Sequence, residues 1–540
     1  MGPTLRAARA LVLLAGFYLL GLAMLGALAV IDWQAGVHLA GSAYVKIWFV
    51  SVVVAIPIVQ GMFSVRAPRF EPPNGLRVTE EQEPALWAAV RRLADEAGTR
   101  APDEIYLVPD VNAAVHEEAR LLGLLPGKRV LMIGVPLMTG LTEPQLIGVL
   151  AHEFGHYGNH DTRLGAISRR AFEQMERTVA ALYERSAKKQ AKERAKQEQK
   201  EAKRLAKGKK ARGVETGHAG LSYRLAAKPF LLYGKLCMRI TLGGMRKDEY
   251  AADLAAARIA GRDATASALR EIPVLSAAHG FYMDSYATLG VGAGLLPPHG
   301  EVYGGLRHLL AARADELDGM RREVPQEEQS PYDSHPPIAD RVARIEALPD
   351  DGRSSEGARP SLALLTDPAR TFAELEHATL TPAALQLRRA ESWQQLVSES
   401  MTQYASESAE PLRAAVREVH GGDGSLDSVL RAIEDGALWQ VADRLPRSEE
   451  AAAATGRAAR EFARPRLRSM LSTLVAGELL RQGAARWEPS WSEPARLRLP
   501  DGHEALLKSA LDAAVEDVPD TGGLRRLLAT TPAPAATPTH

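Results

Sequence analysis

The stretch TEPQLIGVLAHEFGHYG, residues 142–158, decides the reading of this chain. Thr142 can cap a helix, Gln145 three positions later completes a capping box, and Pro144 falls in the first turn, where its missing N–H costs nothing. Leu146, Val149, Leu150 and Phe154 then supply one apolar face. On such a helix His152 and His156 lie one turn apart on the same side, so both can reach one ion. Glu153 sits beside the first histidine, where it can hold and deprotonate a water on that ion. Zinc suits this arrangement because it lowers the pKa of bound water toward about 7 and polarises a carbonyl. A helix with two ordinary histidines is the competing reading. Chance supplies this spacing well under once in a chain with 14 histidines, and the helix is capped independently of it.

A catalytic zinc takes three protein ligands and leaves a fourth position open. The chain has one cysteine, Cys237, so the third ligand is a histidine or a carboxylate, and no intrachain disulfide can form. The run MRKDEYAAD, residues 245–253, offers Glu249 as the ligand. Asp253, one turn later, could orient a ligand histidine. An acid pair at this spacing is also what a solvated helix face looks like.

Outward from the centre, residues 80–98 carry helical periodicity through Leu86, Val90 and Leu93. Residues 104–108 (EIYLV) and 129–135 (RVLMIGV) read as short strands. VNAAV, residues 111–115, reads as a further extended segment or a turn.

Nearer the start, residues 10–31 form an uncharged apolar run long enough to span a bilayer, and it exceeds the usual apolar core of a cleaved signal peptide. A second uncharged run covers 47–63 and contains Pro57. Arg6 and Arg9 precede the pair and Arg66 and Arg69 follow it, so both ends are expected in the cytoplasm. The absence of a disulfide framework agrees with a reducing compartment.

Past the centre, residues 185–212 hold 13 basic and 3 acidic residues. This is a solvated helix or a disordered arm, with attraction to an anionic leaflet as one use. Residues 221–243 carry Arg224, Lys228, Lys235 and Arg239 at spacings of 4, 7 and 4. They read as an amphipathic helix, either on the membrane surface or packed on the catalytic domain. Residues 349–360 have linker composition. Beyond them, helical patterns recur at 384–397 and 459–480. A net charge of zero, 66 basic against 66 acidic residues, argues against a whole-protein role in binding nucleic acid.

Four pieces of this sequence, in order, resemble the M48 family of integral-membrane metallopeptidases, which includes HtpX and the CAAX-processing proteases. They are NAAV (112–115), HEFGH (152–156), RKDEYAAD (246–253) and SHPPIADR (334–341). The resemblance covers roughly residues 80–350. It implies a gluzincin-type site in which His152, His156 and Glu249 bind one Zn2+ and Glu153 is the general base. It also implies that His335 helps polarise or protonate the substrate and that Arg341 lies near the same site. The family has an edge strand beside the cleft to pair with extended substrate, and RVLMIGV fits that role. HtpX-like members have a second hydrophobic helix pair after the zinc helix. Here the basic arm and the amphipathic helix stand in its place.

The fold expected is mainly α with a small β-sheet, an α+β zincin-type catalytic domain. A two-helix membrane anchor precedes it and an all-α unit follows. Residues 1–70 form the membrane hairpin and 71–350 the metallopeptidase domain, with a basic insertion at 185–213. Residues 361–527 form the helical C-terminal domain, and 528–540 a disordered tail. The function expected is a membrane-anchored zinc endopeptidase with its catalytic domain in the cytoplasm, acting on peptide or protein substrates in protein quality control. The alternatives are a non-catalytic membrane-anchored scaffold with a structural zinc, and an extracytoplasmic enzyme behind an inserted signal peptide.

Overall fold

The computed structural model describes residues 3–39, 41–63, 72–120, 125–158, 162–205, 220–323, 336–353, 357–446, 448, 450 and 453–530. The chain divides into two compact units. The first joins Met1–Pro273 to Arg321–Thr366, and the second joins Val274–Met320 to Asp367–His540.

The first unit opens with two helices, α1 (Pro3–His38) and α2 (Ser42–Phe63). Within them Val12–His38 and Ser42–Met62 are long and apolar enough to cross a membrane. They are neighbours along their length: Gly36 lies against the Tyr44 ring and Gly21 against Met62.

Next come β1 (Leu76–Val78), α3 (Pro84–Glu96), β2 (Glu104–Val108), β3 (Ala113–Arg120) and β4 (Leu125–Gly134). The sheet order is β1-β2-β4-β3. β4 runs parallel to β2 and antiparallel to β3. This corrects one sequence expectation. RVLMIGV lies in β4, which is flanked on both sides, and the strand at the sheet edge is β3, the one that carries NAAV. A strand buried on both flanks reads as a continuous apolar run, which is why β4 was the more conspicuous of the two.

The pairing also fixes which peptide groups of β3 face outward. Gly134 N donates to Asn112 O at 2.7 Å. Alternation along an antiparallel ladder then directs the peptide groups of Ala114 and His116 toward β4 and those of Ala113 and Val115 toward the open edge. Gly134 is needed at that point, because a Cβ there would come within 2.2 Å of Asp110 O.

After β4 come α4 (Val135–Gly140) and α5 (Glu143–Gly158). The side chain of Gln145 accepts from the backbone N–H of Thr142 at 2.9 Å, and Thr142 O accepts from Leu146 N at 2.9 Å. Two long helices follow, α6 (Thr162–Leu205) and α7 (Leu221–Ala260), and then α8 (Arg262–Tyr282). The first part of the basic run is therefore helical to Leu205, and residues 206–213 of the expected insertion lie outside the described residues.

The amphipathic segment 221–243 is the first half of α7, and the same helix continues into RKDEYAAD. Its inner face packs on the apolar pair. Phe230 meets Phe17 with ring centroids 5.8 Å apart, and Tyr233 donates from its hydroxyl to Leu13 O at 2.7 Å. α6 joins the same cluster through Met175 and Leu182, and Arg185 donates to Gln60 Oε1 at 2.7 Å. The helix pair after α5 thus keeps an apolar seam toward α1 and α2 while basic side chains stand on its outer surface.

The second unit is helical around a core that includes Leu412, Leu430, Leu471, Val475 and Leu511. Two small two-stranded pairs join these helices, Leu295–Leu296 with Arg388–Arg389 and Arg486–Glu488 with Arg496–Arg498. The pattern read at 384–397 is not one helix. Arg388 pairs with Leu295, and the helix Trp393–Val419 begins only after Ser392, whose hydroxyl accepts from Gln395 N at 3.2 Å. Residues 531–540 of the expected tail lie outside the described residues, whereas 528–530 close the helix Gly522–Thr530.

Candidate metal centre

α5 and α7 pack closely because of a small-residue contact. A Cβ on Gly155 would lie 3.2 Å from the Cα of Ala252, so a glycine at this turn lets the helices approach and brings Glu249 over the two histidines. His152 Nε2 and His156 Nε2 are 3.2 Å apart. Each lies 3.6 Å from one oxygen of the Glu249 carboxylate. Metal–ligand distances of about 2.0–2.2 Å imply tetrahedral edges of about 3.3–3.6 Å. The three groups therefore fit one ion, two imidazoles and a carboxylate being the donor set such an ion takes. Among the described residues, His152, His156 and Glu249 are the group that could hold a metal.

Behind the histidine stands a buried acid–base pair. Asp253 Oδ1 is 2.9 Å from His152 Nδ1. Arg341, on the helix Ile338–Glu346, donates to both Asp253 oxygens, from Nε at 2.9 Å and from Nη2 at 2.6 Å. Asp253 is 2% exposed and Arg341 8%. Burial works against the Asp253 carboxylate, but the hydrogen bonds from Arg341 and His152 outweigh it and hold its pKa below the usual range. Burial also works against a charged His152. The hydrogen bonds to Asp253 and Glu249 outweigh that too, and push its pKa up to about 9 in the metal-free protein.

His152 opens onto a cavity bordered by Val111, Asn112 and Ala113 at the start of β3, by Glu153, and by Leu269 of α8. Glu153 is part-exposed on this cavity wall, next along the helix from His152. Tyr157, one turn beyond Glu153, donates from its hydroxyl to Val115 O at 2.7 Å and so ties the edge strand to α5. The Arg129 guanidinium lies over the Tyr157 ring at 4.9 Å and pairs with Glu117 at 2.6 Å.

The comparisons with known proteins bear on this geometry. The model of peptidase family M48 matches residues 80–348. The chain is a member of peptidase family M48. The match includes both helices that carry the metal-binding group and the helix that carries Arg341. Among curated relatives, this M48 member is similar to a protein named protease HtpX homolog from Listeria welshimeri. The two are 28% identical over 154 residues, which is 28% of this chain and 47% of the relative. Proteins of the same name from Listeria monocytogenes and Pelotomaculum thermopropionicum are each 34% identical over 90 and 91 residues. Those matches cover 17% of this chain and 28% and 31% of the relatives. The chain thus spans about half or less of the length of these relatives. No solved structure matches it.

Of the residues singled out from sequence, His152, Glu153, His156, Glu249, Asp253 and Arg341 come together at this one place. His335 lies outside the described residues. Sequence reasoning missed Tyr157 and the Arg129–Glu117 pair. Tyr157 had a detectable signal, since it falls one turn past Glu153 on the same helix. Arg129 and Glu117 meet only through the β3–β4 register.

Proposed function

We propose that this M48 member is a membrane-anchored zinc endopeptidase, with α1 and α2 as the anchor and the catalytic domain on the cytoplasmic side. The observation that carries the proposal is the trio of ligand atoms at tetrahedral-edge spacing, beside a carboxylate on a cavity whose wall begins an edge strand. Zinc, held by His152, His156 and Glu249, would supply Lewis acidity toward both a water and the scissile carbonyl.

The chain's own residues do the remaining work. Asp253 holds His152 by its Nδ1–H and thereby presents Nε2 toward the cavity, while Arg341 fixes Asp253. Glu153 accepts a proton from the attacking water and passes it to the departing amide nitrogen. Ala113 points its peptide group outward, as does the N–H of Val115, and an extended substrate adds there as a further strand; this favours unfolded segments over folded ones. His335 polarises the carbonyl or donates a proton, in line with its place in SHPP. Substrates would be unfolded cytoplasmic segments or damaged membrane proteins, a role in protein quality control.

The reading is tested with the full chain purified in mild detergent, its metal content measured, and an unfolded model protein offered as substrate. One bound zinc per chain, cleavage lost on chelation and restored by zinc, supports it. Cleavage that persists after the metal has been removed overturns it.

A further inference from the structure

The outer face of α7 is unusual for a helix that packs against two apolar helices. Leu221, Leu225, Leu232 and Leu236 all lie exposed on it, Leu232 the most at 71%. Beside them run Arg224, Lys228, Lys235 and Arg239, exposed as well. Both sets repeat at 4, 7 and 4 residues, so they form two parallel stripes, one leucine and one basic. The opposite face holds Tyr223, Ala226, Phe230 and Cys237, all buried. A soluble helix would not leave a leucine stripe uncovered, and a helix inside hydrocarbon would not carry a basic stripe at full exposure.

The place of this helix beside α1 and α2 follows from the contacts already described. Met62, at the end of α2, lies against Gly21 of α1. The part of α1 before Gly21 therefore projects past the end of α2, toward Arg6 and Arg9. α7 touches that projecting part through Tyr233 on Leu13 and Gly16 and through Phe230 on Phe17, and it packs on α2 as well, Tyr223, Ala226 and Phe230 sharing one apolar cluster with Val54, Ile58 and Met62. With α1 and α2 read as spans, the two stripes stand on the far side of a helix that is packed against the spanning pair.

We infer that the outer face of α7 is a binding surface for anionic phospholipid. The leucine stripe lies in the upper acyl chains, and the basic stripe lies against lipid phosphates, reached by flexible side chains. The occupant is a lipid rather than an acidic protein because a leucine stripe stands beside the basic one, on a helix packed against two helices long and apolar enough to cross a membrane. The same helix carries Glu249 and Asp253 in its second half, so lipid bound to its first half sits on the element that carries the metal ligand. This inference rests on the membrane reading proposed above.

Native mass spectrometry of the detergent-released full chain, titrated with phosphatidylglycerol or phosphatidylcholine, tests it. The unmodified chain should bind phosphatidylglycerol more tightly. In Arg224→Gln with Lys228→Gln, the tightest phosphatidylglycerol event should weaken about fivefold for each charge removed, while phosphatidylcholine binding stays unchanged. Leu225→Gln with Leu232→Gln should weaken both lipids. Glycerol phosphate in solution should compete with neither. Lys196→Gln with Lys200→Gln on α6 should leave the preference intact. The inference is overturned if the α7 charge variant keeps the full preference, or if the α6 variant alone abolishes it. Carbonate extraction of membranes separates the two levels. Release of the chain by carbonate sinks the anchor and this surface together, whereas retention with no α7 dependence sinks this surface alone.

Discussion

Asp253 Oδ1 lies 2.9 Å from Nδ1 of His152, one turn along α7 from Glu249. One helix thus supplies both a metal ligand and the group that orients another ligand on a different helix. Partners of this kind fix the tautomer of a ligating imidazole, and their loss costs about 10–100-fold in metal affinity or activity. Asp253→Asn keeps the shape but loses the charge. We expect its zinc affinity, measured by competition with a chromophoric chelator, to fall within that range. An unchanged affinity would mean that Asp253 serves packing alone.

Arg341 bonds both oxygens of Asp253, and both side chains are buried. Removing Arg341 takes the stronger of two charged partners from the buried Asp253 carboxylate and leaves it His152 alone, and breaking a buried pair costs up to about 3–5 kcal/mol. Arg341→Met should therefore lower the stability of the metal-free protein in chemical denaturation by about that amount. A loss below about 1 kcal/mol would show that Asp253 finds water or another donor in the absence of Arg341.

Metal uptake should depend on pH. In the metal-free protein His152 is pushed from 6.5 up to about 9, so at neutral pH it carries a proton that the metal must displace. A raised folded-state pKa stabilises the metal-free fold fully below pH 6.5, and that contribution is lost as pH rises through about 9. Zinc affinity should run the opposite way, rising about tenfold per pH unit and levelling off near pH 9. Calorimetry at pH 7 in buffers of different ionisation heat should show at least one proton released per zinc. Zero release would contradict the charged His152.

The open edge of β3 offers a test of how substrate binds. The Ala113 peptide group points away from β4, so Ala113→Pro removes one outward N–H without breaking the ladder. Losing one hydrogen bond of about 1 kcal/mol predicts a roughly fivefold higher KM with little change in kcat. Ala114→Pro, whose N–H faces β4, should instead destabilise the sheet. If the two variants behaved alike, substrate would not be pairing along β3.

The site was legible because its parts lie within single helices. His152, Glu153 and His156 fall within one turn of one helix, and Glu249 and Asp253 within one turn of another. Helical spacing alone puts each set on a common face. The edge strand was not legible. Which of β3 and β4 lies outside depends on pairing between residues distant in sequence, and β4 drew attention by its apolar content. The long course of α7 was also hidden. Gly243 and Gly244 divide the sequence into a basic-and-leucine half and an acidic half, and only packing on α1 at one end and α5 at the other makes them one helix. Among the described residues of the second unit, the sequence pattern at 459–480 located the helix Gly456–Arg481, whereas the pattern at 384–397 overlaps only the start of the helix Trp393–Val419. The latter pattern misjudged the helix start, where Ser392 caps and a two-residue strand intervenes.

The central claim is that Glu153 acts as the base at a metal held by His152, His156 and Glu249. It is tested most directly by cleavage of an unfolded model protein by the purified full chain and by its Glu153→Gln variant, both at one zinc per chain. The account predicts cleavage by the unmodified chain and a loss of at least about a hundredfold in the variant, the range general-base catalysis contributes, with zinc content unchanged. Equal rates from the two proteins would contradict it.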